Sequence, residues 1–370
     1  MVRIGVPRET APRERRVAAT PETVKKLASI GSVVVEEGAG IAADIPDAAW
    51  APAGASIGDP WSAELVLKVA PPSLAEVAKL SDGAVLVSHA DPTDRPDVVA
   101  ALAAKRISWA ALERVPRISR AQKMDVLSSM ATLAGYRSVL EAANTGGRFF
   151  PMMMSAAGTL TPVQVLVIGA GVAGLSALAT AKRLGAVCRA FDTRPAVKDQ
   201  VKSVGARFLE LELDASAEDA GGYAKAVSAE FLAKEHALLA KHCAEVDVVI
   251  TTALVAGREA PKLIDDAMVA AMKPGSVIVD LAAPRGGNCT ATRPDEVVQT
   301  ANGVWIVGPT DLPSRMAADA SRLFARNVRE LVLHFRGKAT DGLNLDPEDE
   351  IIKATFVMLG GQTERGGASG

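Results

Sequence analysis

The sequence predicts an α/β protein of two domains, each with a doubly wound parallel sheet, joined by long helices. Three observations predict this class. Strand and helix patterns alternate over the first 112 residues, and a strand, a glycine turn, a helix and a second strand follow without interruption from Val163 to Arg194. Long helical patterns lie within residues 114–144 and 315–335. A chain of 370 residues can bury two such cores.

The composition excludes several classes of protein. The net charge of −2 and the absence of a basic cluster argue against a nucleic-acid partner. The three cysteines lack the spacing of a metal site or a disulfide framework, so we expect no metal and a reducing, cytoplasmic compartment. The N-terminal MVRIGVPRE has no apolar signal core. Residues 155–181 carry no charge, but Pro162, Gln164 and glycines interrupt them, which favours a buried strand and helix over a membrane span.

The first domain is predicted from residues 1–127 together with 315–370, which the last long helix brings back to it. Its first helix begins after Thr20, with Pro21 at the first position, and ends at Gly31. No glycine-rich phosphate turn occurs in this stretch of the chain, so we interpret it as a companion to the nucleotide-binding domain. The predicted strands are Ile4–Val6, Val33–Val35, Leu65–Val69, Val85–Ser88 and Ile107–Ala111, and further helices are predicted at Ser73–Leu80 and Asp97–Ala104.

The second domain, residues 128–314, is predicted to be a Rossmann-like dinucleotide-binding domain. A short apolar strand at Val165–Ile168 runs directly into IGAGVAGL. Glycines at this spacing permit a tight turn, close approach of a pyrophosphate and close packing of helix on strand. The candidate cofactor-binding residues of this turn are Gly169, Gly171, Val172, Ala173 and Gly174.

An acidic residue follows the second strand of this motif. Asp192 comes 23 residues after Gly169, where a carboxylate accepts both hydroxyls of an adenosine ribose and repels a 2′-phosphate. The sequence therefore predicts NAD(H) as cofactor. Arg194 is the counter-indication, because a cation tolerates that phosphate; Thr193 lies between the two and completes the candidate set.

Two further stretches are predicted to contact the cofactor. The segment Ala220-Gly221-Gly222-Tyr223 has small residues and one aromatic ring, which suits a mobile flap carrying Gly222 and Tyr223 as cofactor contacts. An ordinary solvated loop is the alternative. Leu254 follows the predicted strand Asp247–Ala253, at the edge where doubly wound sheets bind ligands. Later strands are predicted at Arg207–Leu211, Ser276–Leu281 and Val304–Val307, with helices at Ser228–Cys243 and Asp265–Met272.

The titratable residues leave two kinds of chemistry open. Direct hydride transfer between carbon atoms needs no general base, whereas oxidation of an alcohol or amine does. His236, His242 and His334 lie on predicted charged or terminal helices and are expected at the surface. Lys68 and His89 end first-domain strands and are expected to point toward a cleft, which keeps a proton-transfer reaction possible.

Several motifs resemble one family across nearly the whole chain. The chain resembles the NAD(H)-binding component of proton-translocating nicotinamide nucleotide transhydrogenase. The motifs that carry this resemblance are RISRAQKMD at Arg117–Asp125, PMMMSAAGT, IGAGVAGL, the AGGYAK flap, MKPGSVIVDLA and LPSRMAADAS. The most specific motif is an Arg-Gln-Asp loop that in the family contacts the nicotinamide end of the cofactor. By position it gives Arg117, Gln122 and Asp125 as catalytic residues, with Ser128 as a further cofactor contact.

The resemblance implies a soluble enzyme subunit that passes hydride from NADH to NADP⁺ held on a partner subunit, while a membrane-embedded partner couples the reaction to proton movement. It also implies a homodimer and a peripheral location at the inner face of the cytoplasmic membrane. The Met152–Met154 run is one candidate contact. The residues suit this chemistry: an ion pair between Arg117 and Asp125 would fix the loop, and Gln122 would donate to the second nucleotide.

Two alternatives remain open. Alanine dehydrogenases resemble this architecture and share RVAATP near the N-terminus, and their basic side chains would correspond to Arg16, Lys68 and His89. Their aspartate position is occupied by Pro284, which cannot take a proton. A catalytically silent NAD-binding paralogue is the other alternative, because Pro284, Arg285 and Pro309 depart from the transhydrogenase pattern.

Overall fold

The computed structural model describes residues 1–211, 229–254, 258–336 and 342–363. Contacts between residues divide the chain into two compact units. The first unit is Met1–Met130 with Pro313–Gly370, and the second unit is Ala131–Leu312.

The first unit alternates strands and helices. In chain order they are β1 (Val2–Val6), α1 (Pro21–Leu27), β2 (Gly31–Val35), β3 (Ala55–Ile57), β4 (Leu65–Leu67), α2 (Leu74–Lys79), β5 (Val85–Ser88), α3 (Pro96–Ala104) and β6 (Ser108–Ala111). Helix α4 (Val126–Thr145) then runs on into the second unit. Helix α1 begins where Thr20 predicts: the Thr20 N–H donates to Thr23 Oγ1 at 2.9 Å, and Pro21 occupies the first position.

The second unit follows, and the chain then returns to the first. The second unit contains β7 (Met153–Ser155), β8 (Gly158–Leu160), β9 (Gln164–Ile168), α5 (Val172–Arg183), β10 (Val187–Phe191), α6 (Lys198–Ser203), β11 (Arg207–Phe208), α7 (Ala229–Glu245), β12 (Val248–Thr251), α8 (Asp266–Ala271), β13 (Val277–Asp280), β14 (Val297–Gln299) and β15 (Trp305–Val307). The returning elements are α9 (Ala317–Arg336), α10 (Glu350–Thr355), β16 (Phe356–Leu359) and β17 (Gln362–Thr363).

Each unit is organised around one sheet. The first sheet has the order β17-β16-β6-β5-β4-β1-β2-β3, in which β1 to β6 are parallel and β16 and β17 are antiparallel additions at one edge. The second has the order β11-β10-β9-β12-β13-β15-β14, and only β14 is antiparallel. Strand β9 therefore has β10 on one side and β12 on the other, which makes the β9/β12 edge a topological switch point. The predicted fold class is confirmed.

Both faces of the second sheet are covered, as its apolar strands predict. In β9, Val165 and Val167 pack into one apolar cluster with Leu178 of α5, whereas Leu166 and Ile168 pack into another with residues of α7 and α8. Successive strand residues point to opposite faces, so a strand that is apolar throughout is stable only between two layers of helices. The same packing accounts for the uncharged stretch around β9. No helix in the described segments of the chain is long and apolar enough to cross a membrane.

The sequence prediction missed several short strands and overextended others by one to three residues. Strands β3, β14, β16 and β17 and the β7–β8 hairpin were not predicted, and the strand expected at Arg207–Leu211 is limited to Arg207–Phe208. These strands lie at sheet edges, next to an edge strand in the case of β16, or outside the two main sheets. There, pairing with a neighbouring strand rather than an apolar alternation defines the element.

Candidate functional site

The glycine turn of the second unit joins β9 to α5. Gly169 has φ = +95°, a left-handed conformation that favours glycine. A β-carbon at position 174 would lie 1.9 Å from the carbonyl oxygen of Gly169, so Gly174 lets α5 start directly against the end of β9. Gly171 has nothing nearer to such a carbon than the Arg194 guanidinium at 4.0 Å. The turn therefore exposes the first N–H groups of a helix on an open side, which suits a pyrophosphate.

The helix start carries the remaining residues of this turn. Val172 is exposed and Ala173 is half-buried in the first turn of α5. A neighbouring crossing fixes this end of the helix: a β-carbon at Gly135, on α4, would lie 2.0 Å from the Ala173 carbonyl oxygen. Gly135 thus allows α4 to approach the first turn of α5 closely. Ser176 supports the same crossing by donating its hydroxyl hydrogen to the Thr132 carbonyl oxygen at 2.7 Å.

Asp192 lies directly after β10 and is bonded to the glycine turn. Its Oδ2 accepts the Ala170 N–H at 2.8 Å. Arg194 binds both carboxylate oxygens: its backbone N–H and Nε donate to Oδ1, and Nη2 donates to Oδ2, each at 2.9 Å. Burial would raise the pKa of Asp192, but the hydrogen bonds from Arg194 and Ala170 outweigh it and lower that pKa. The carboxylate is therefore ionised and held at the turn. Thr193 between them is exposed.

The chain after β12 closes against the same turn. Thr252 donates its hydroxyl hydrogen to the Gly169 carbonyl oxygen at 2.9 Å, across the β9/β12 switch point. Leu254, two residues further on, is 54% exposed. The structure thus brings the β12 end, the glycine turn and Asp192 together at one edge of the second sheet. The flap residues Gly222 and Tyr223 lie outside the described residues.

Two buried polar residues at this edge were not predicted as functional. Asp280 ends β13 and Asn288 lies in the loop that follows; both are 0% exposed. Asn288 hydrogen-bonds the backbone of Ala253, next to Thr252. The signals that would have indicated them are a carboxylate at the end of an otherwise apolar strand, for Asp280, and an amide in the sequence GGNC, for Asn288.

The candidate catalytic loop lies in the first unit. Ser119–Met124 forms a 3₁₀ helix, and Arg117 and Gln122 are exposed. Asp125 caps α4: its Oδ1 accepts the Ser128 N–H at 2.9 Å, and its Oδ2 accepts the Ser128 hydroxyl at 2.5 Å. The ion pair expected between Arg117 and Asp125 is not formed in the described part of the chain, where both carboxylate oxygens of Asp125 bind Ser128 instead. Helix capping, not an ion pair, fixes this end of the loop.

Helices α9 and α10 hold the candidate catalytic loop in place through hydrogen bonds and ion pairs. Asn327 of α9 donates its amide hydrogen to the Lys123 carbonyl oxygen at 2.7 Å. Arg120 lies 3.4 Å from the carboxylates of Asp349 and Glu350, at the start of α10. Ala121 is fully buried, whereas Gln122 beside it is exposed. The loop is therefore anchored through its backbone and alternate side chains while Gln122 stays available.

Within the described residues no group of three or more His, Cys, Asp or Glu side chains is placed to hold a metal ion. All three cysteines are buried and unpaired. Burial raises the pKa of the Cys243 thiol to about 12, so these side chains are poor nucleophiles at neutral pH.

Comparison with known proteins identifies the family. The family model for the N-terminal domain of alanine dehydrogenase/PNT matches residues 5–134, and the model for the C-terminal domain matches residues 138–365. The chain belongs to the alanine dehydrogenase/PNT family. The resemblance seen in the sequence is confirmed.

Within the alanine dehydrogenase/PNT family, the chain is more similar to transhydrogenase subunits than to alanine dehydrogenase. It is 48% identical over 373 residues to the first of the parts that make up NAD(P) transhydrogenase subunit alpha in Rhodospirillum rubrum, covering 97% of both chains. The crystal structure of transhydrogenase from Sinorhizobium meliloti matches with a TM-score of 0.89 and 44% identity, covering 98% of this chain and 99% of that one. Alanine dehydrogenase of Bacillus subtilis is 33% identical over 296 residues, 77% of this chain and 71% of that protein. The prediction of an enzyme subunit of the transhydrogenase type is confirmed at the level of the family.

The side chains that would act on the amino acid in an alanine dehydrogenase are paired here with carboxylates of the same unit. Arg16 donates to Glu14 through Nε at 2.7 Å and Nη2 at 2.6 Å. Burial would raise the pKa of Glu14, but the hydrogen bonds and charge of Arg16 outweigh it and lower that pKa. His89 Nδ1 lies 3.4 Å from Glu113 Oε2. Arg16 and His89 are thus already paired with an acidic side chain.

Lys68 departs most clearly from the sequence expectation. The prediction that it points toward a cleft is wrong: its side chain is 1% exposed, and its ammonium lies 3.1 Å from both Glu9 and Glu76. A buried cation requires such partners because desolvation strongly disfavours an unpaired charge. Pro284, at the family's aspartate position, lies in a short 3₁₀ turn and offers no titratable group.

Proposed function

We propose that this chain is the NAD(H)-binding subunit of a transhydrogenase, passing hydride between NADH and NADP⁺ held on a partner subunit. One observation favours this over amino-acid oxidation: Arg16, Lys68 and His89 are each bound to internal carboxylates. Hydride transfer between two nicotinamides needs no proton acceptor, so it tolerates this arrangement, whereas amine oxidation does not.

The residues of the second unit fit the proposed cofactor. The turn at Gly169–Gly174 has room for a pyrophosphate, and the N–H groups at the start of α5 would bind it. Asp192 is ionised and would accept the ribose hydroxyls of NADH. Thr252 and Leu254 at the β12 end are the groups that would face the nicotinamide half. A bound NADH would supply the hydride.

The loop of the first unit would contribute orientation without acid–base chemistry. Asp125 and Ser128 fix its end at the start of α4, and Asn327 holds its backbone. Gln122 is exposed and carries both a donor and an acceptor, so it suits a contact with the second nucleotide. Arg117, also exposed, would bind the carboxamide end of the cofactor. Proximity and preorganisation would then lower the barrier.

The partners proposed are an NADP(H)-binding subunit, a membrane-embedded proton-conducting subunit and a second copy of this chain. The name of the Rhodospirillum relative, which designates one portion of a subunit alpha, supports further subunits. The β7–β8 hairpin supports a homodimer, because Met154 is 74% exposed and Met153, which pairs with Leu160 across the hairpin, is 40% exposed beside a Leu160 that is 48% exposed. Apolar side chains grouped on an exposed hairpin are typical of a protein contact. The complex would lie at the cytoplasmic face of the membrane.

The experiment compares three mixtures by absorbance, with thionicotinamide-NADP⁺ in place of NADP⁺ so that its reduced form is distinguished from NADH. The purified chain is combined with NADH alone, with NADH, thionicotinamide-NADP⁺ and an NADP-binding partner subunit, or with alanine and NAD⁺. Turnover only in the mixture with the partner supports the proposal. Turnover with alanine would replace it with an amino-acid dehydrogenase, and NADH binding without turnover in any mixture would indicate a silent paralogue.

A further inference from the structure

The loop that follows β13 is fastened to the end of β12 by one side chain. Asn288 Oδ1 accepts the Ala253 N–H at 3.1 Å, and Asn288 Nδ2 donates to the Ala253 carbonyl oxygen at 2.9 Å and to the Pro261 carbonyl oxygen at 2.8 Å. The amide thus binds Ala253 as a neighbouring strand would. Only an amide provides both the acceptor and the donors that this arrangement uses.

Asp280 fastens the other side of the same loop. Its Oδ1 accepts the Thr251 hydroxyl at 2.8 Å and the Ala282 N–H at 3.0 Å. Its Oδ2 accepts the Cys289 N–H at 3.0 Å and the Thr292 hydroxyl at 2.6 Å. Four donors satisfy a carboxylate that is fully buried. Because Asp280 binds the backbone of Cys289, the adjacent Asn288 is also held in place.

The fastening continues to the glycine turn. Asn288 holds Ala253, and Thr252 beside it donates to the Gly169 carbonyl oxygen at 2.9 Å. Lys262 adds contacts to the Gly286 and Gly287 carbonyl oxygens, which keep the beginning of the loop in place. Asn288 itself is 0% exposed, so it would act on a ligand only through the backbone it holds.

We propose that Asn288 is a positioning residue that holds Thr252–Leu254 against the glycine turn in the conformation that receives the nicotinamide half of the cofactor. This inference rests on the proposed NAD(H)-binding function. It predicts an unequal effect on the two halves of the cofactor. The adenosine half would bind at Asp192, whose contacts, from Ala170 and Arg194, do not involve Asn288.

The chain offers a matched control at the opposite edge of the same sheet. Asn302, before β15, donates its amide hydrogens to the Val269 and Ala270 carbonyl oxygens at 3.0 and 3.2 Å, and its Oδ1 accepts the Thr300 hydroxyl at 2.6 Å. Asn288→Ala and Asn302→Ala therefore both remove an amide that fastens backbone carbonyls. Asn302 is half-buried whereas Asn288 is fully buried, so Asn302→Ala should cost no more stability than Asn288→Ala, which thermal unfolding would verify.

The experiment measures Kd values of the full-length chain and both variants for NADH and for 5′-AMP, which lacks the nicotinamide half. We expect Asn288→Ala to raise the Kd for NADH about tenfold, as when a buried backbone group loses its partner, and to leave the Kd for 5′-AMP within about twofold. Asn302→Ala should change neither. If Asn288→Ala does not fold, Asn288→Ser, which keeps a donor and an acceptor, takes its place with the same expectation in weaker form.

Three results would overturn the inference: an unchanged Kd for NADH in Asn288→Ala, an equal loss for NADH and 5′-AMP, or the same loss in Asn302→Ala. Failure of the unmodified chain to bind NADH would instead contradict the proposed function, and that result does not depend on any variant.

Discussion

Replacing Asp192 by asparagine tests the cofactor assignment most directly. The two side chains have the same shape, but the amide nitrogen must take the place of one carboxylate oxygen. Each oxygen now accepts two donors, Oδ1 from Arg194 N–H and Nε, and Oδ2 from Ala170 N–H and Arg194 Nη2. In either orientation the new amide nitrogen would face two donors, so half of the hydrogen bonds are lost together with the charge.

The expected size of the effect follows from the bonds that the carboxylate would make to the ribose. A hydrogen bond to a charged group contributes about 1.5–3 kcal/mol, and Arg194, which binds the same oxygens in the free chain, reduces the net gain. We therefore expect Asp192→Asn to weaken NADH binding by about 1–3 kcal/mol, or roughly 5- to 150-fold in Kd. The preference for NADH over NADPH should narrow by a similar factor, because the carboxylate that repels a 2′-phosphate is gone.

Fluorescence titration of the chain with NADH and with NADPH measures both quantities. Asp199→Asn, which removes an exposed carboxylate on α6, is the matched control and should leave both Kd values unchanged. If Asp192→Asn binds both cofactors as tightly as the unmodified chain, Asp192 does not contact the adenosine ribose.

Four further predictions follow from the same contacts. Gln122→Asn should slow hydride transfer with the partner subunit at least tenfold while NADH affinity stays within about twofold, since a shorter side chain misplaces the amide without touching the glycine turn; an equal loss of rate and affinity in stopped-flow measurements would make Gln122 a pocket residue only. Gly174→Ala should lower the free energy of unfolding by about 2 kcal/mol or more, because its β-carbon would meet the Gly169 carbonyl oxygen at 1.9 Å. Gly83 differs in having a positive φ and no atom within 4 Å of the new carbon, so Gly83→Ala should cost only the backbone strain of about 1 kcal/mol. Equal losses in urea unfolding would refute the close packing at Gly174. Met154→Lys should shift a homodimer toward monomer in sedimentation experiments, and an unchanged mass would move the dimer contact away from the hairpin. The folded chain lowers the pKa of Asp192, so the stability that this carboxylate contributes is complete above the ordinary aspartate pKa of about 3.9 and is lost as the pH falls below that value through the folded pKa. The difference in unfolding free energy between the unmodified chain and Asp192→Asn should therefore shrink over that acid range. A difference that grows there would contradict the lowered pKa.

The elements that the sequence predicts well are those whose stability is local. The β9 strand, its glycine turn, α5 and β10 follow from an apolar run, three glycines and a charged helix end, and their bounds agree with prediction to within a residue or two. The edge strands β16 and β17 could not be predicted in this way. Strand β16 pairs with β6 across more than 240 residues of chain, and β17 pairs with β16, so their pairing depends on the whole first unit having formed.

The same distinction between local and long-range contacts applies to the candidate site. The position of Asp192 after a strand predicts its contact with the glycine turn, since the carboxyl ends of neighbouring parallel strands meet at one edge. The partners of Arg117 and Lys68 could not be derived from spacing. Asp125 lies eight residues from Arg117 but is captured by Ser128 three residues ahead, because a free helix N–H is nearer than a flexible guanidinium. Lys68 is turned inward by Glu9 and Glu76, which no local pattern indicates.

The saturation of the Asp192 carboxylate has a consequence for how a dinucleotide would enter. Ribose hydroxyls must replace the Arg194 guanidinium rather than add to it, so binding is an exchange in which hydrogen bonds are broken and formed in similar number. Such an exchange releases the long Arg194 side chain to water, and the adenosine end of the ligand then contributes little to the binding enthalpy. Raising the ionic strength weakens the ion pair between Arg194 and Asp192, so it would then raise the association rate constant of NADH instead of lowering it.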